Sequence, residues 1–229
     1  MLGERDETGL RVTATSVWGI LSWILILLLP AGTLHYWQAW VFIAVFTVAT
    51  IVPAAYLART NPAALQRRMR AGPRAEPRTA QKFIITGSFL SLFAAMVFSA
   101  LDHRFGWSSV PAWLSLLGDV LVATGLGIAM LVVIQNSYAA ATVTVEAGQT
   151  VVSSGLYRFV RHPMYTGNVI MMIGIPLALG SYWGLLFVVP GTALLALRIF
   201  DEEKLLLQEL PGYPDYTQKV RYRLAPHLW

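Results

Sequence analysis

Two short stretches of this 229-residue chain hold the residue types that could do chemistry, and both lie where an apolar sequence turns polar. The first is Gly155-Leu156-Tyr157-Arg158-Phe159-Val160-Arg161-His162-Pro163-Met164-Tyr165-Thr166-Gly167-Asn168. Arg158 and Arg161 stand at i,i+3 and share a face if the stretch is a short helix. Pro163 suits the first turn of a new helix, where its missing N–H costs nothing. A helix N-terminus beside Arg and His attracts anionic groups. The second stretch is Arg198-Ile199-Phe200-Asp201-Glu202-Glu203, with Arg198 and Glu202 at i,i+4. Cations, carboxylates and backbone amides together are what a zwitterionic ligand requires. The plain alternative is that Arg158, Arg161 and His162 snorkel at a membrane surface, and that Arg198 and Glu202 form an ion pair ending a span. Farther on, Tyr213, Tyr216, Arg221, Arg223 and Pro226 recur at close spacing and by themselves describe an amphipathic interfacial tail.

Other chemistries are absent from the sequence. With no cysteine there is no disulfide framework, thiolate metal site or Cys nucleophile. The four histidines (35, 103, 162 and 227) are far apart and form no His-x-x-x-His pair, so no metal centre is expected. There is no dinucleotide fingerprint, Walker loop or serine elbow.

The elements that must position these residues follow from composition. The chain is 56% hydrophobic and only 13% charged, with a mean hydropathy of +0.57. A soluble domain carries about 25% charged residues, so a soluble enzyme and a nucleic-acid-binding chain are both disfavoured. Apolar runs at 12–29, 37–58, 83–101 and 112–134 predict four spans, the first retained rather than cleaved as a signal peptide. Residues 166–200 are apolar but interrupted at Gly180-Ser181-Tyr182-Trp183-Gly184, which predicts a helical hairpin with two short arms. The fold class expected is therefore an all-α integral membrane protein of about five or six transmembrane segments, the last two a hairpin, with a cytoplasmic C-terminal pocket. Residues 1–134 form an N-terminal membrane region and 135–229 a catalytic region.

Within the spans, Asp119 reads as a snorkelling or locally bonded acid, or as part of a site. Gly125 and Gly127 suit close helix contact. The segment 135–165 is too polar to face lipid as irregular backbone and belongs against a protein-lined cavity or at the cytoplasmic surface. Residues 59–82 hold seven Lys/Arg against one Glu, as a cytoplasmic loop would. With the N-terminus cytoplasmic, sixteen of the seventeen basic residues fall on that side and only Arg104 outside. Both termini are then cytoplasmic, in a multi-pass arrangement suited to a prokaryotic plasma membrane.

Three motifs carry a family resemblance. They are Gly155-Leu156-Tyr157-x-x-x-Arg161-His162-Pro163-x-Tyr165-x-Gly167, Arg198-x-x-x-Glu202-Glu203-x-x-Leu206 and Tyr213-x-x-Tyr216-x-x-x-Val220-x-x-Arg223. In this order they resemble the isoprenylcysteine carboxyl methyltransferase family, one of a wider group of integral-membrane methyltransferases that includes phospholipid methyltransferases. The resemblance implies S-adenosylmethionine as cofactor and a lipid or prenylated acceptor arriving from the bilayer, with no nucleic-acid partner. It implies a cofactor pocket formed by Gln149, Thr150, Val151, Val152, Tyr157, His162, Pro163, Met164, Tyr165 and Glu202. Arg198 would face the acceptor, Arg161 would help hold the cofactor carboxylate, and Glu203 is the candidate base if the acceptor is an amine. No base is needed for a carboxylate acceptor, which is already ionised at neutral pH, and that is the substrate expected. Eukaryotic members typically have His where this chain has Gln149, so the substrate need not carry over. A second alternative is a membrane NAD(P)H-dependent reductase of the sterol type, which shares the Arg-His-Pro-x-Tyr-x-Gly pattern. Such reductases tend to carry an acid after that Gly, whereas this chain has Asn168.

Overall fold

The structure, a computed structural model, describes residues 18, 19 and 21–229. The start of the expected first span and the charged segment before it lie outside the described residues. Among the described residues all regular structure is helical. The helices are α1 (Leu21–Ala31), α2 (Trp37–Thr60), α3 (Pro62–Met69), α4 (Thr79–Phe105), α5 (Ala112–Gln135), α6 (Pro163–Ala178), α7 (Val188–Glu209) and α8 (Tyr213–Lys219). Short 3-10 turns cover Gly155–Arg158 and Trp183–Phe187. Four elements are long and apolar enough to cross a membrane: α2, α4, α5 and the continuous Trp183–Glu209 segment that ends in α7. At 1.5 Å per residue, the 16 residues of α6 reach only about 24 Å. This arm of the expected hairpin is short, as anticipated. The other is longer than expected and long enough to cross a membrane, because α7 continues through Asp201-Glu202-Glu203 to Glu209 instead of ending at the first charges. Those acids stay helical because each has a partner on a neighbouring element.

The two arms also find different partners. α6 lies against α5, whereas α7 lies against α4. The α5–α6 seam is closed by glycine. A Cβ on Gly125 would sit 2.4 Å from the Gly167 carbonyl oxygen, and one on Gly118 would sit 2.2 Å from the Ala178 amide nitrogen. Gly127, which the sequence groups with Gly125, meets nothing within 4 Å and takes no part.

The alternation of helices brings 60–79, 135–163 and 209–229 to one end of the bundle, and 32–36, 106–111 and 179–187 to the other. The end without the motifs is tied by buried Asp102. Its carboxylate accepts the Ser108 amide at 2.7 Å, the Ser108 hydroxyl at 2.6 Å and the Ser181 hydroxyl at 2.5 Å. Asp119 is buried in α5, and among the described residues neither carboxylate oxygen has a hydrogen-bond partner, so it is not the locally bonded acid that is one reading of the sequence. Its place on α5, sixteen residues before Gln135, keeps it far from the motif end.

At the motif end the basic loop is partly helical. Asn61 caps α3 by accepting the Ala64 amide at 3.1 Å, and Pro62 occupies the first turn. Arg67 then grips Glu146 with two bonds of 2.8 and 2.9 Å. The Arg67 pairing holds the Glu146 carboxyl below its usual range. Residues N-terminal to 135 thus pack directly on the polar segment expected to form the site.

Candidate active site

One cleft at this end is lined by the 135–165 segment, the start of α6, the last turns of α7 and α8. It holds about 850 Å³ of non-protein space, part of it open to solvent. All ten residues expected to form a cofactor pocket line it: Gln149, Thr150, Val151, Val152, Tyr157, His162, Pro163, Met164, Tyr165 and Glu202. Arg161 lines it too, but Arg198 and Glu203 do not.

The two motif stretches meet through Tyr165. Its hydroxyl donates to Glu202 Oε2 at 2.5 Å and accepts from Arg198 Nε at 3.0 Å. Among the described residues nothing donates a hydrogen bond to Glu202 Oε1, which leaves one carboxylate oxygen available in the cleft. The direct Arg198–Glu202 ion pair, the plain alternative offered by the i,i+4 spacing, is replaced by this bridge. Arg198 has its ion pair elsewhere, with Glu76 Oε1 at 2.8 Å. It also donates to Gln81 Oε1 and to the Ala141 carbonyl, each at 2.7 Å. Arg198, Glu76 and Gln81 are all buried. A guanidinium so surrounded anchors the loop before α4 to α7 and has little left for an acceptor.

Glu203 is held still more tightly. It accepts from Arg161 Nε at 2.7 Å and Arg223 Nε at 2.9 Å, with His162 Nε2 at 3.3 Å. A carboxylate among three such partners is a poor proton acceptor, so this environment is not that of a base. Arg161 is likewise committed. Beyond Glu203 it donates to the Val220 and Arg221 carbonyls, both at 3.0 Å. The backbone amides of Arg161 and His162 bond to the Tyr222 and Arg223 carbonyls at 2.9 Å, which fastens the 222–223 segment to the strip of chain that lines the cleft. Arg158 is exposed over the Phe159 ring and does not share a face with buried Arg161.

The remaining walls suit a large, partly apolar ligand. Leu210, Tyr213, Tyr216 and Val220 form a buried cluster with Val151, Tyr157 and Leu206. Tyr216 donates to the Tyr157 carbonyl at 2.7 Å, and Asn136 to the Tyr157 hydroxyl at 3.2 Å. Burial pushes the Tyr157 phenol up to about 12, so it stays neutral. The Tyr213 hydroxyl is buried and has no hydrogen-bond partner among the described residues. Sequence reasoning missed Glu76, Gln81, Asn136 and the Tyr213 hydroxyl. Only Glu76 carries a signal, as the single acid in a loop of seven bases.

Comparison with known proteins bears on what the cleft does. Residues 113–211 match the sequence profile of the phospholipid methyltransferase family. This is the membrane methyltransferase group to which the motifs pointed, and the matched segment runs from α5 to the end of α7, across both cleft-forming stretches. A delta(14)-sterol reductase of Mus musculus is 31% identical over 91 residues, covering 38% of this chain and 22% of the reductase. The chain thus matches about a fifth of that relative's length. The solved structure of a eukaryotic intramembrane Ras methyltransferase, an isoprenylcysteine carboxyl methyltransferase, superposes with a TM-score of 0.45 at 14% identity, covering 94% of this chain and 84% of that one. Residues 113–211 thus resemble the phospholipid methyltransferase family, and the apolar helices are those of a multi-pass integral membrane protein.

Proposed function

We propose that the cleft binds S-adenosylmethionine and that the protein transfers its methyl group to a lipid-like acceptor, the carboxylate of an isoprenylcysteine-type molecule being the best fit. The observation that carries this reading is the convergence of all ten expected cofactor residues on one cleft inside the family-matched segment. The donor set fits the cofactor: an unpaired Glu202 oxygen for an ammonium, the α6 N-terminus beside His162 for a carboxylate, and an apolar tyrosine- and leucine-lined wall for an adenine. Bound there, S-adenosylmethionine supplies an electrophilic methyl carbon on a sulfonium. The chain's own task is alignment and exclusion of water, which in-line displacement needs more than acid–base groups. Tyr165 fixes the Glu202 carboxylate, and the Arg198–Glu76–Gln81 cluster fixes Tyr165. Glu202 is the only carboxylate lining the cleft among the described residues, and it is engaged by this role. The absence there of a second carboxylate favours an acceptor that needs no base.

Labelled S-adenosylmethionine incubated with the purified protein and a total membrane lipid extract tests the reading. Label in a base-labile ester is the expected result. Label in a methylated amine would shift the acceptor to an ethanolamine phospholipid, and no label at all would overturn methyl transfer. A second reading is favoured by the 31% identity to the sterol reductase: a nicotinamide-dependent membrane reductase. Saturable NADPH binding without S-adenosylmethionine binding would establish it in place of the first.

A further inference from the structure

Among the described residues, every arginine facing the interior at the motif end has a carboxylate partner except one. Arg67 has Glu146, Arg78 has Asp201, Arg161 and Arg223 share Glu203, and Arg198 has Glu76. Arg68, on α3, has no ion pair among the described residues. Of its five N–H groups only those on Nη1 donate, to the Ala140 carbonyl at 3.3 Å and to Met164 Sδ at 3.1 Å. A thioether is a weak acceptor and a poor substitute for an anion. Arg68 is nevertheless not a free surface cation. It is half-buried, and burial draws its pKa down. A guanidinium withdrawn from water with no anion beside it is costly unless a ligand supplies one.

Its neighbours say where that ligand would be. Ala140 and Met164 both line the cleft, so the Arg68 head stands directly behind the wall on which they sit. On its other side, Met164 packs with Ala54 and Ala58 of α2 and Met130 of α5 around buried Leu57, Leu65 and Val133. Arg68 thus stands where the cleft wall meets the ends of two membrane-spanning helices. Resting on the reading of the cleft as a methyl-transfer site, we propose that Arg68 is the acceptor-recognition residue, its guanidinium binding the anionic head group of a lipid acceptor that reaches the cleft beside Met164. A carboxylate and a phosphodiester share the chemistry that a planar guanidinium fork recognises. The role that the family resemblance implies for Arg198 thereby falls to an arginine whose donors are still available.

The test uses the full-length protein in neutral detergent, with Arg68→Gln, Arg68→Lys and the control Arg70→Gln, Arg70 being exposed at the end of α3. Two probes separate the sources: N-acetyl-S-farnesylcysteine for the carboxylate and dioleoylphosphatidylethanolamine for the phosphodiester. Probe binding is titrated by native mass spectrometry and S-adenosylmethionine binding by calorimetry. Arg68→Gln is expected to weaken one probe at least tenfold, Arg68→Lys to restore part of it, and both to leave cofactor affinity within twofold. Where methyl transfer is measured, KM for the acceptor rises while kcat changes little. Equal weakening by Arg70→Gln would mean general surface attraction and overturn the assignment. So would unaltered probe binding in Arg68→Gln, absence of probe binding to the unmutated protein, or parallel loss of cofactor affinity. If probe binding depends on Arg68 but no methyl is transferred, the anion site stands and the methyltransferase reading falls.

Discussion

Glu202 and Glu203 are adjacent in sequence and differ in everything that matters to function. Glu202 keeps one oxygen free in the cleft, while Glu203 is surrounded by Arg161, Arg223 and His162. Successive helical residues point about 100° apart, so a neighbouring carboxylate is directed out of the cleft and onto the chain end. Glu202→Gln is expected to weaken S-adenosylmethionine binding by about 1–3 kcal/mol, the cost of one charge-assisted contact. Calorimetry in detergent checks this, and unchanged affinity in a folded mutant would remove Glu202 from the cofactor site. Arg198→Ala leaves buried Glu76 without its cation and should destabilise the protein by about 3–5 kcal/mol. The double mutant Arg198→Ala/Glu76→Ala should lose less than the sum of the two single changes. Thermal unfolding of the three variants makes the comparison, and strict additivity would mean that the two residues are energetically independent.

Among the elements, α5 and α6 depend on a close approach of their backbones. Gly118 and Gly125 of α5 face Ala178 and Gly167 of α6 at distances that no side chain can enter. Because α6 carries His162 at its cap and Pro163 to Tyr165 in its first turn, a shift at this seam moves the cleft wall itself. Gly125→Val should cost about 1–3 kcal/mol or more by overpacking, whereas Gly127→Val, with open space around it, should be nearly neutral. Unfolding temperatures of the pair in detergent test this, and equal effects would show that helix propensity rather than the seam is responsible.

At the scale of the whole molecule, three segments distant in sequence converge on one end, and we propose from the distribution of basic residues that this end is cytoplasmic. The absence of cysteine makes the orientation testable. A cysteine placed at exposed Ala71 should react with an impermeant maleimide only after cells are opened. Labelling in intact cells would invert the arrangement and place the cleft on the outer face.

The apolar helices of the described residues and the break at 135–165 were legible in the sequence, because hydropathy is a local property, and the residues that line the cleft were those implied by the resemblance its short motifs carry. Residues 37–58, 83–101 and 112–134 became α2, α4 and α5 with their boundaries moved by at most four residues. Partnership was not legible. That Arg198 pairs with Glu76, 122 positions away, that Arg161 holds the chain end, and that Gly125 rather than Gly127 meets α6 all depend on which helix lies beside which. The same limit explains why Arg68 went unremarked among seven bases. In a sequence all cations in a loop look alike, and only the folded chain shows which of them already has an anion.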